Sequence, residues 1–375
     1  MPFNNPALWR MTKFYSLNYP ITNVAATQGT KQVQIDLKKY LTGDTDFLAR
    51  MIVRVHGNIT VAGAGPGTAT GNDNPLGLLV QANLSTSPIK ANCAPINNVS
   101  SRGLSVDAMF NSGDPTLSVF QGGYVAVTDA AGVKAIDQYY ELNFKRSEAV
   151  ALEGVDYSLA LAQYRTAVMQ LVFGGRDQLF SGGVNTWDLS ALSVDIYADI
   201  DQAIQPKYIH AWELFEQNFP ITASTTDFKI DTLPSGFVYT DLFFISEEAN
   251  IPADGIINNI AIFNGAQTWL AKGEGNARGF AYAFTMRNDR ALNMPISSGA
   301  NIVAPSGVYG LPMRDGMFSR CFDARYAPLT ISLDVTAGAA TNLRLVGRRM
   351  LPGGVYIRPD IAAQAAQFAK QNVGG

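Results

Sequence analysis

The chain holds little of what usually carries chemistry. It has two histidines and two cysteines in 375 residues. Cys93 and Cys321 lie far apart and form no CxxC pair, which excludes a disulfide-dense scaffold. Each is read as a buried free thiol. Neither His56 nor His210 has a Cys or His neighbour at metal-ligand spacing, so both are read as structural and no metal or other cofactor is expected. Charge is scarce too: 16% of residues, against about 25% in ordinary domains. The formal net charge of −3 gives no electrostatic reason to bind nucleic acid specifically. No Gly-x-Ser-x-Gly elbow occurs. No run reaches the ~18–20 apolar residues of a membrane span. The opening MPFNNPALWRMTKFY lacks the apolar core of a signal peptide, so cytoplasmic synthesis is the expectation.

What the chain has in quantity is β pattern, and that pattern is written twice. Tyr164–Phe173 and Ala191–Ile200 alternate in polarity and close the first half. Pro328–Val335 and Asn342–Met350 do the same for the second. A repeat this long is a whole β-domain, not a solenoid unit of about 20–50 residues. Further strands are predicted at Lys31–Leu37, Phe47–Val61, Leu76–Leu84 and Ile136–Arg146. A short helix is predicted at Ser101–Phe110, capped by Ser100 or Ser101. The second half restarts at Asp227–Asp231 and continues through Phe237–Ser246 and Ile256–Phe263. Thr268–Met286 admits a helix weakened by its glycines. Residues 290–327 are rich in Pro and Gly and show no clear strand.

These readings divide the chain into an N-terminal arm (1–30), a first β-domain (31–205), a junction (206–225), a second β-domain (226–358) and a C-terminal helix or tail (359–375). The arm mixes Trp9 and Phe14 with Arg10 and Lys13 and is read as a docking segment. The junction's Trp212, Phe215 and Phe219 are too apolar for a free linker, so it is expected to pack between the domains. Near the C-terminus Arg344, Arg348, Arg349 and Arg358 gather. By the period-2 rule Arg344 and Arg348 share one strand face and Arg349 points to the other. The terminal helix carries one narrow apolar stripe, Ile361, Ala365, Phe368 and Ala369.

Candidate chemistry is thin. The carboxylate pairs Asp199/Asp201 and Glu247/Glu248 would serve a glycosidase only if they faced each other across a cleft. Gly273–Gly279 is one residue off the dinucleotide spacing, and Gly63–Gly67 is read as a surface loop.

Three stretches add to the order of elements. Tyr139–Phe144 stands at a late strand of the first half, Asn258–Gly265 at the third-strand position of the second, and Leu351–Pro359 follows the last strand as an extended tail. Antiparallel strands interrupted by a helix-bearing excursion, twice over, suit jelly rolls. Over residues 31 to 358 the pattern resembles the double jelly-roll major capsid proteins of the PRD1-like phages and the adenovirus hexon lineage. The loops look shorter than a hexon's towers.

The resemblance implies an all-β fold of two tandem eight-stranded jelly-roll sandwiches, with short helical excursions and a C-terminal helix. It implies a structural subunit rather than an enzyme. The subunit would be a homotrimer forming a pseudo-hexameric capsomer of an icosahedral bacteriophage virion, made in the host cytoplasm. Its partners would be neighbouring capsomers, penton and minor capsid proteins, and an internal lipid membrane. Trp9, Arg10, Lys13, Phe14, Arg348, Arg349, Arg358, Ile361 and Phe368 would then be candidate inner-face or assembly contacts. The alternative is a carbohydrate-binding or carbohydrate-cleaving β-sandwich, such as a phage spike or lyase. It would want aromatic residues gathered beside paired carboxylates, whereas Trp187, Trp212 and Trp269 are widely separated.

Overall fold

The structure is a computed structural model. It describes residues 8–18, 21–23, 30–40, 46–69, 76–88, 93–111, 127–144, 159–161, 164–202, 212–249, 251–265, 267–270, 294–295, 301–302, 307–312 and 322–350. The principal strands of the first half are β1 (Leu8–Asn18), β2 (Lys31–Asp36), β3 (Asp46–Ala62), β4 (Leu79–Pro88), β5 (Cys93–Val99), β6 (Gly132–Asn143), β7 (Tyr164–Phe173) and β8 (Leu192–Gln202). Those of the second half are β9 (Trp212–Ile221), β10 (Thr225–Ile230), β11 (Val238–Glu248), β12 (Ile257–Asn264), β13 (Gln267–Leu270), β14 (Val308–Pro312), β15 (Leu329–Val335) and β16 (Thr341–Met350). One helix, α1 (Ser101–Asn111), stands between β5 and β6.

The pairing is the same in both halves. In the first, β1 pairs with β8, β2 with β7, β3 with β6 and β4 with β5, all antiparallel. In the second, β9 pairs with β16, β10 with β15, β11 with β14 and β12 with β13, all antiparallel. First with eighth, second with seventh, third with sixth and fourth with fifth is a long ribbon rolled on itself, the jelly roll. The roll is held by third-with-eighth and fourth-with-seventh pairs in each half. Each barrel therefore has one sheet ordered 1-8-3-6 and one ordered 2-7-4-5.

The strand pattern follows from burial on one face. Along β3, Met51, Val53, Val55, Ile59 and Val61 are buried at two-residue spacing, while Arg50, Arg54 and His56 stay partly exposed. Gly57 keeps this register at φ +131°, where the Ala191 carbonyl leaves no room for a Cβ. α1 is capped by Ser100, whose Oγ accepts from the Gly103 N–H at 3.1 Å.

Two expected boundaries move. The segment set apart as an arm supplies β1, which lies beside β8 from Leu8↔Gln202 to Asn18↔Ser193. The junction supplies β9, the first strand of the second barrel, and it also joins the barrels. Leu214↔Ile96 and Phe215↔Asn97 pair β9 in parallel with β5. The 2-7-4-5 sheet of barrel one thus runs on into the 1-8-3-6 sheet of barrel two as a single sheet.

Two strands stand where none was expected. β14 lies within 290–327, and β13 lies in the stretch read as a possible helix, so all eight strands of the second barrel are present. Most of Thr268–Met286, the terminal helix at 359–375, His210, Cys321 and Gly273–Gly279 lie outside the described residues.

The shared sheet gives barrel two a wall buried on both sides. Leu214, Phe243, Ile245 and Val346 join the core of barrel one. Their neighbours Phe215, Phe244, Leu343 and Leu345 join the core of barrel two. At one end of barrel one, Arg176 is 1% exposed and its Nη2 donates to Asp129 at 2.6 Å. The same carboxylate accepts from the Gly67 N–H and the Trp187 indole, each at 2.6 Å. The Gly63–Gly67 loop is fastened there by side chains.

Candidate assembly interface

The face that barrel two turns toward barrel one is apolar at its centre and charged at both ends. Leu214, Val346, Phe243 and Ile245 form the centre. At one end Arg348 of β16 meets Asp107 of α1. Nε donates to Oδ1 and Nη2 to Oδ2, each at 2.6 Å, and Nη2 also donates to the Asn143 carbonyl at 3.0 Å. Both side chains are buried, at 4% and 2% exposure. At the other end Glu247 of β11 is fully buried. It accepts from Arg344 Nε at 2.8 Å, from Asn342 Nδ2 at 3.1 Å and from Arg102 of α1. Arg344 Nη1 donates to Glu216 of β9 at 3.1 Å. The second oxygen of Glu216 accepts from the Ser100 N–H at 2.8 Å and its hydroxyl at 2.7 Å. A carboxylate at the start of α1 also suits the positive end of the helix dipole.

Arg344 and Arg348 share one face of β16 and Arg349 takes the other, as the period of two requires. All three arginines have partners inside the chain. Arg349 Nε donates to Glu213 at 2.9 Å, and its guanidinium lies 4.2 Å from the Phe237 ring centre. Arg348 and Arg349 were counted among the candidate assembly contacts. They are corrected to contacts within the subunit, because Arg348 is buried against Asp107 and Arg349, part-buried, is engaged by Glu213 and Phe237. Arg358, Ile361 and Phe368 lie outside the described residues. Trp9, Arg10, Lys13 and Phe14 fall on the backbone of β1. Glu247 and Glu248 do not face one another: Glu247 enters this seam, while Glu248 accepts from Thr341 Oγ1 at 2.6 Å in the β15–β16 turn.

Two predictions arise from the seam. Burial pushes the Glu247 carboxyl upward, but Arg102 and Arg344 outweigh it and hold the group below the usual carboxylate range. A lowered folded value means that this group's stabilisation is present above the unfolded glutamate value, about 4.3. It is lost as pH falls through the lower folded value. Urea titrations at pH 7, 5, 4 and 3 should show a steeper acid loss in the wild type than in Glu247→Gln. Equal acid slopes would remove Glu247 from the account. Burial moves Glu141 the other way, upward against the pull of Arg50. Its contribution is full below the unfolded value and lost as pH rises through the raised one, so it opposes the trend.

The second prediction concerns Gly103. A Cβ there would press on the Glu216 carboxylate and come within 2.9 Å of Val99 Cγ1 and 3.3 Å of Val346 Cγ2. Helix propensity favours Ala over Gly by about 1 kcal/mol. Overpacking costs about 1–3 kcal/mol, and Glu216 is tied down by Ser100 and Arg344. Gly103→Ala should therefore destabilise by about 1–2 kcal/mol in a urea titration. A gain in stability would show that the contact has slack.

The outer face of the other 1-8-3-6 sheet, in barrel one, is open among the described residues. It carries ion pairs from strand to strand. Arg54 and Asp137 pair through two bonds of 2.7 Å. Arg50 Nε donates to Asp199 at 2.6 Å, and His56 Nε2 lies 3.0 Å from Asp195 Oδ2. The Arg54 guanidinium stands 5.4 Å over Tyr139. No group of three or more His, Cys, Asp or Glu side chains placed to hold a metal ion occurs among the described residues.

Two jelly rolls of identical strand order, fused through one sheet, define a double jelly-roll protein. No family model and no curated protein sequence matches the chain. Solved structures do. The chain is similar to the major capsid protein of Sulfolobus turreted icosahedral virus in its crystal structure. That match has a TM-score of 0.60 at 12% identity and covers 92% of this chain and 97% of the other. It is similar to a chain in the atomic structure of the same virus, with a TM-score of 0.61 at 14% identity, covering 97% and 96%. The major capsid protein of bacteriophage PM2 matches with a TM-score of 0.50 at 9% identity, covering 94% and 99%. The fold is that of the double jelly-roll major capsid proteins.

Proposed function

We propose that the chain is the structural major capsid protein of an icosahedral virion. The observation that carries this is likeness over most of the length: both barrels match a major capsid protein across 92% of this chain and 97% of that one. Three copies would place six barrels around a threefold axis as a pseudo-hexameric capsomer. Closed rotational symmetry is the usual outcome for such subunits. In this reading the protein is not an enzyme. Its partners are its own copies, neighbouring capsomers, and penton and minor capsid proteins, and the virion is that of a bacteriophage with an internal lipid membrane. Synthesis is in the host cytoplasm. Trp9, Arg10, Lys13 and Phe14 on β1, with Arg358, Ile361 and Phe368 at the C-terminal end, are the assembly or inner-face contacts.

The fused wall supports a rigid building block. Charged residues at both ends of the seam fix how one barrel sits on the other, and the apolar centre supplies the adhesion. Solution mass by light scattering tests the reading. A species of about three times the 40.4 kDa chain is expected. A protein that stays monomeric at every concentration and salt tried, and enters no particle, would overturn it.

A further inference from the structure

The seam between the barrels continues, through shared charges, onto the outer face of barrel one. Along β6, Ile136, Tyr140 and Leu142 turn into the core. Asp137, Tyr139, Glu141 and Asn143 therefore turn outward. Asn143 stands where that face meets the seam, since its carbonyl accepts from Arg348 Nη2 at 3.0 Å. Across the sheet Arg50 of β3 lies opposite Asn143, and Asp199 of β8 lies opposite Arg50. Asp199, Arg50, Glu141, Arg348 and Asp107 thus gather from β8, β3, β6, β16 and α1.

Within this group Glu141 is the carboxylate whose charge is least well met. Its side chain is 7% exposed, and its ion-pair partner is Arg50 Nη1, at 3.4 Å. Arg50 is already committed to Asp199, to which its Nε donates at 2.6 Å. The Asn143 amide lies beside Glu141, but its Nδ2 makes no hydrogen bond. Arg348, the other guanidinium in the group, is held by Asp107 through two bonds of 2.6 Å. Asp241 of β11 lies opposite Arg348 and adds a further negative charge. Among the described residues, each guanidinium near Glu141 is therefore held more closely by another carboxylate. Burial pushes the Glu141 carboxyl upward, the charge of Asp107 adds to this, and Arg50 does not cancel the two.

We propose that Glu141 is a proton-operated latch on the joint between the barrels. When it binds a proton, no poorly matched charge stands beside the Asp107–Arg348 pair, and α1 is held firmly against barrel two. When it loses the proton, the carboxylate repels Asp107 and weakens the hold of α1 at that end. A group raised on folding contributes stability that is complete below the unfolded glutamate value, about 4.3. That contribution is lost as pH rises through the folded value. The joint therefore slackens toward neutral and alkaline pH, the opposite sense to Glu247.

The test compares full-length wild type with Glu141→Gln, which keeps the shape and removes the charge. Urea titrations at pH 4, 5, 6, 7 and 8 should show the variant gaining on the wild type as pH rises. At pH 8 its folding equilibrium constant should have gained about tenfold for each pH unit by which folding raises the Glu141 carboxyl. Glu247 titrates alike in both chains, so its acid loss cancels in the comparison. Hydrogen exchange, corrected for the intrinsic rate, should show α1 less protected at pH 8 than at pH 5 in the wild type. In Glu141→Gln that difference should be much smaller. A stability difference that is the same at every pH would overturn the latch, as would α1 protection that changes equally in both chains. Should Glu141→Gln not fold, exchange in the wild type decides: α1 protection that stays constant between pH 5 and pH 8 would sink the proposal. Both readouts are taken within one chain, so neither depends on the capsid reading.

Discussion

Removing residues 1–18 is expected to abolish soluble folded protein rather than merely weaken assembly. An N-terminal docking arm would be dispensable for folding, and the sequence suggests such an arm. The backbone pairing says otherwise. β1 lies along β8 from Leu8↔Gln202 to Asn18↔Ser193. β8 in turn sends Val194, Ile196, Ala198 and Ile200 into the core of barrel one. Each backbone hydrogen bond lost costs about 0.5–1.5 kcal/mol net, and the whole domain is stable by only about 5–15 kcal/mol. A ladder of this length is therefore comparable with the total. Its loss also bares the edge of β8 to other chains, which favours aggregation. Deletion of residues 1–7, which stops short of the strand, should leave a soluble protein with near wild-type melting. A soluble, cooperatively unfolding 19–375 fragment with unchanged melting would show that β1 is an appendage.

The second large effect is expected at the buried pair between the barrels. Asp107→Ala should destabilise by about 3–5 kcal/mol, because it removes the bidentate carboxylate from a guanidinium that is 4% exposed. Arginine keeps its proton in proteins, so Arg348 cannot escape by neutralising once Asp107 is gone; in the intact pair Asp107 and Asp241 outweigh burial and raise its pKa. Asp107→Ala combined with Arg348→Met should cost clearly less than the two single changes added together. Asp241, opposite Arg348 in the β11–β16 register, keeps the double variant from being neutral. Urea midpoints at constant slope measure all three. Additive costs would mean that the pair does not couple the barrels.

The ease of reading this chain varied with how each strand is buried. β7, β8 and β15 stood out because they present one face to a core and alternate accordingly. In β15, for example, Leu329, Ile331, Leu333 and Val335 are buried every second residue. β9 did not, because it lies in the wall between two cores. Glu213, Leu214 and Phe215 are buried in succession, which erases the period of two. β1 is broken by a register shift between Lys13 and Tyr15, which flips the phase of any alternation. β13 and β14 are four and five residues long, too short to show a period beside Gly-rich and Pro-rich stretches.

The seam was half legible. Strand period told that Arg344 and Arg348 share a face. It could not tell what they meet, since Asp107 is 241 residues from Arg348 and lies on a helix with no charge pattern of its own. Distance in sequence also hid the role of Glu247, whose partners Arg102 and Arg344 lie 145 and 97 residues away, and which beside Glu248 looked like one of a carboxylate pair. Neighbouring residues on a strand point to opposite faces, so that adjacency was never a site.

The central claim is that two fused barrels form a self-assembling shell subunit. Electron cryomicroscopy of the purified oligomer, at a resolution that separates strands, tests it most directly. The account predicts three chains with six barrels in a closed ring of hexagonal outline. A lone chain, or a twofold dimer, would contradict it.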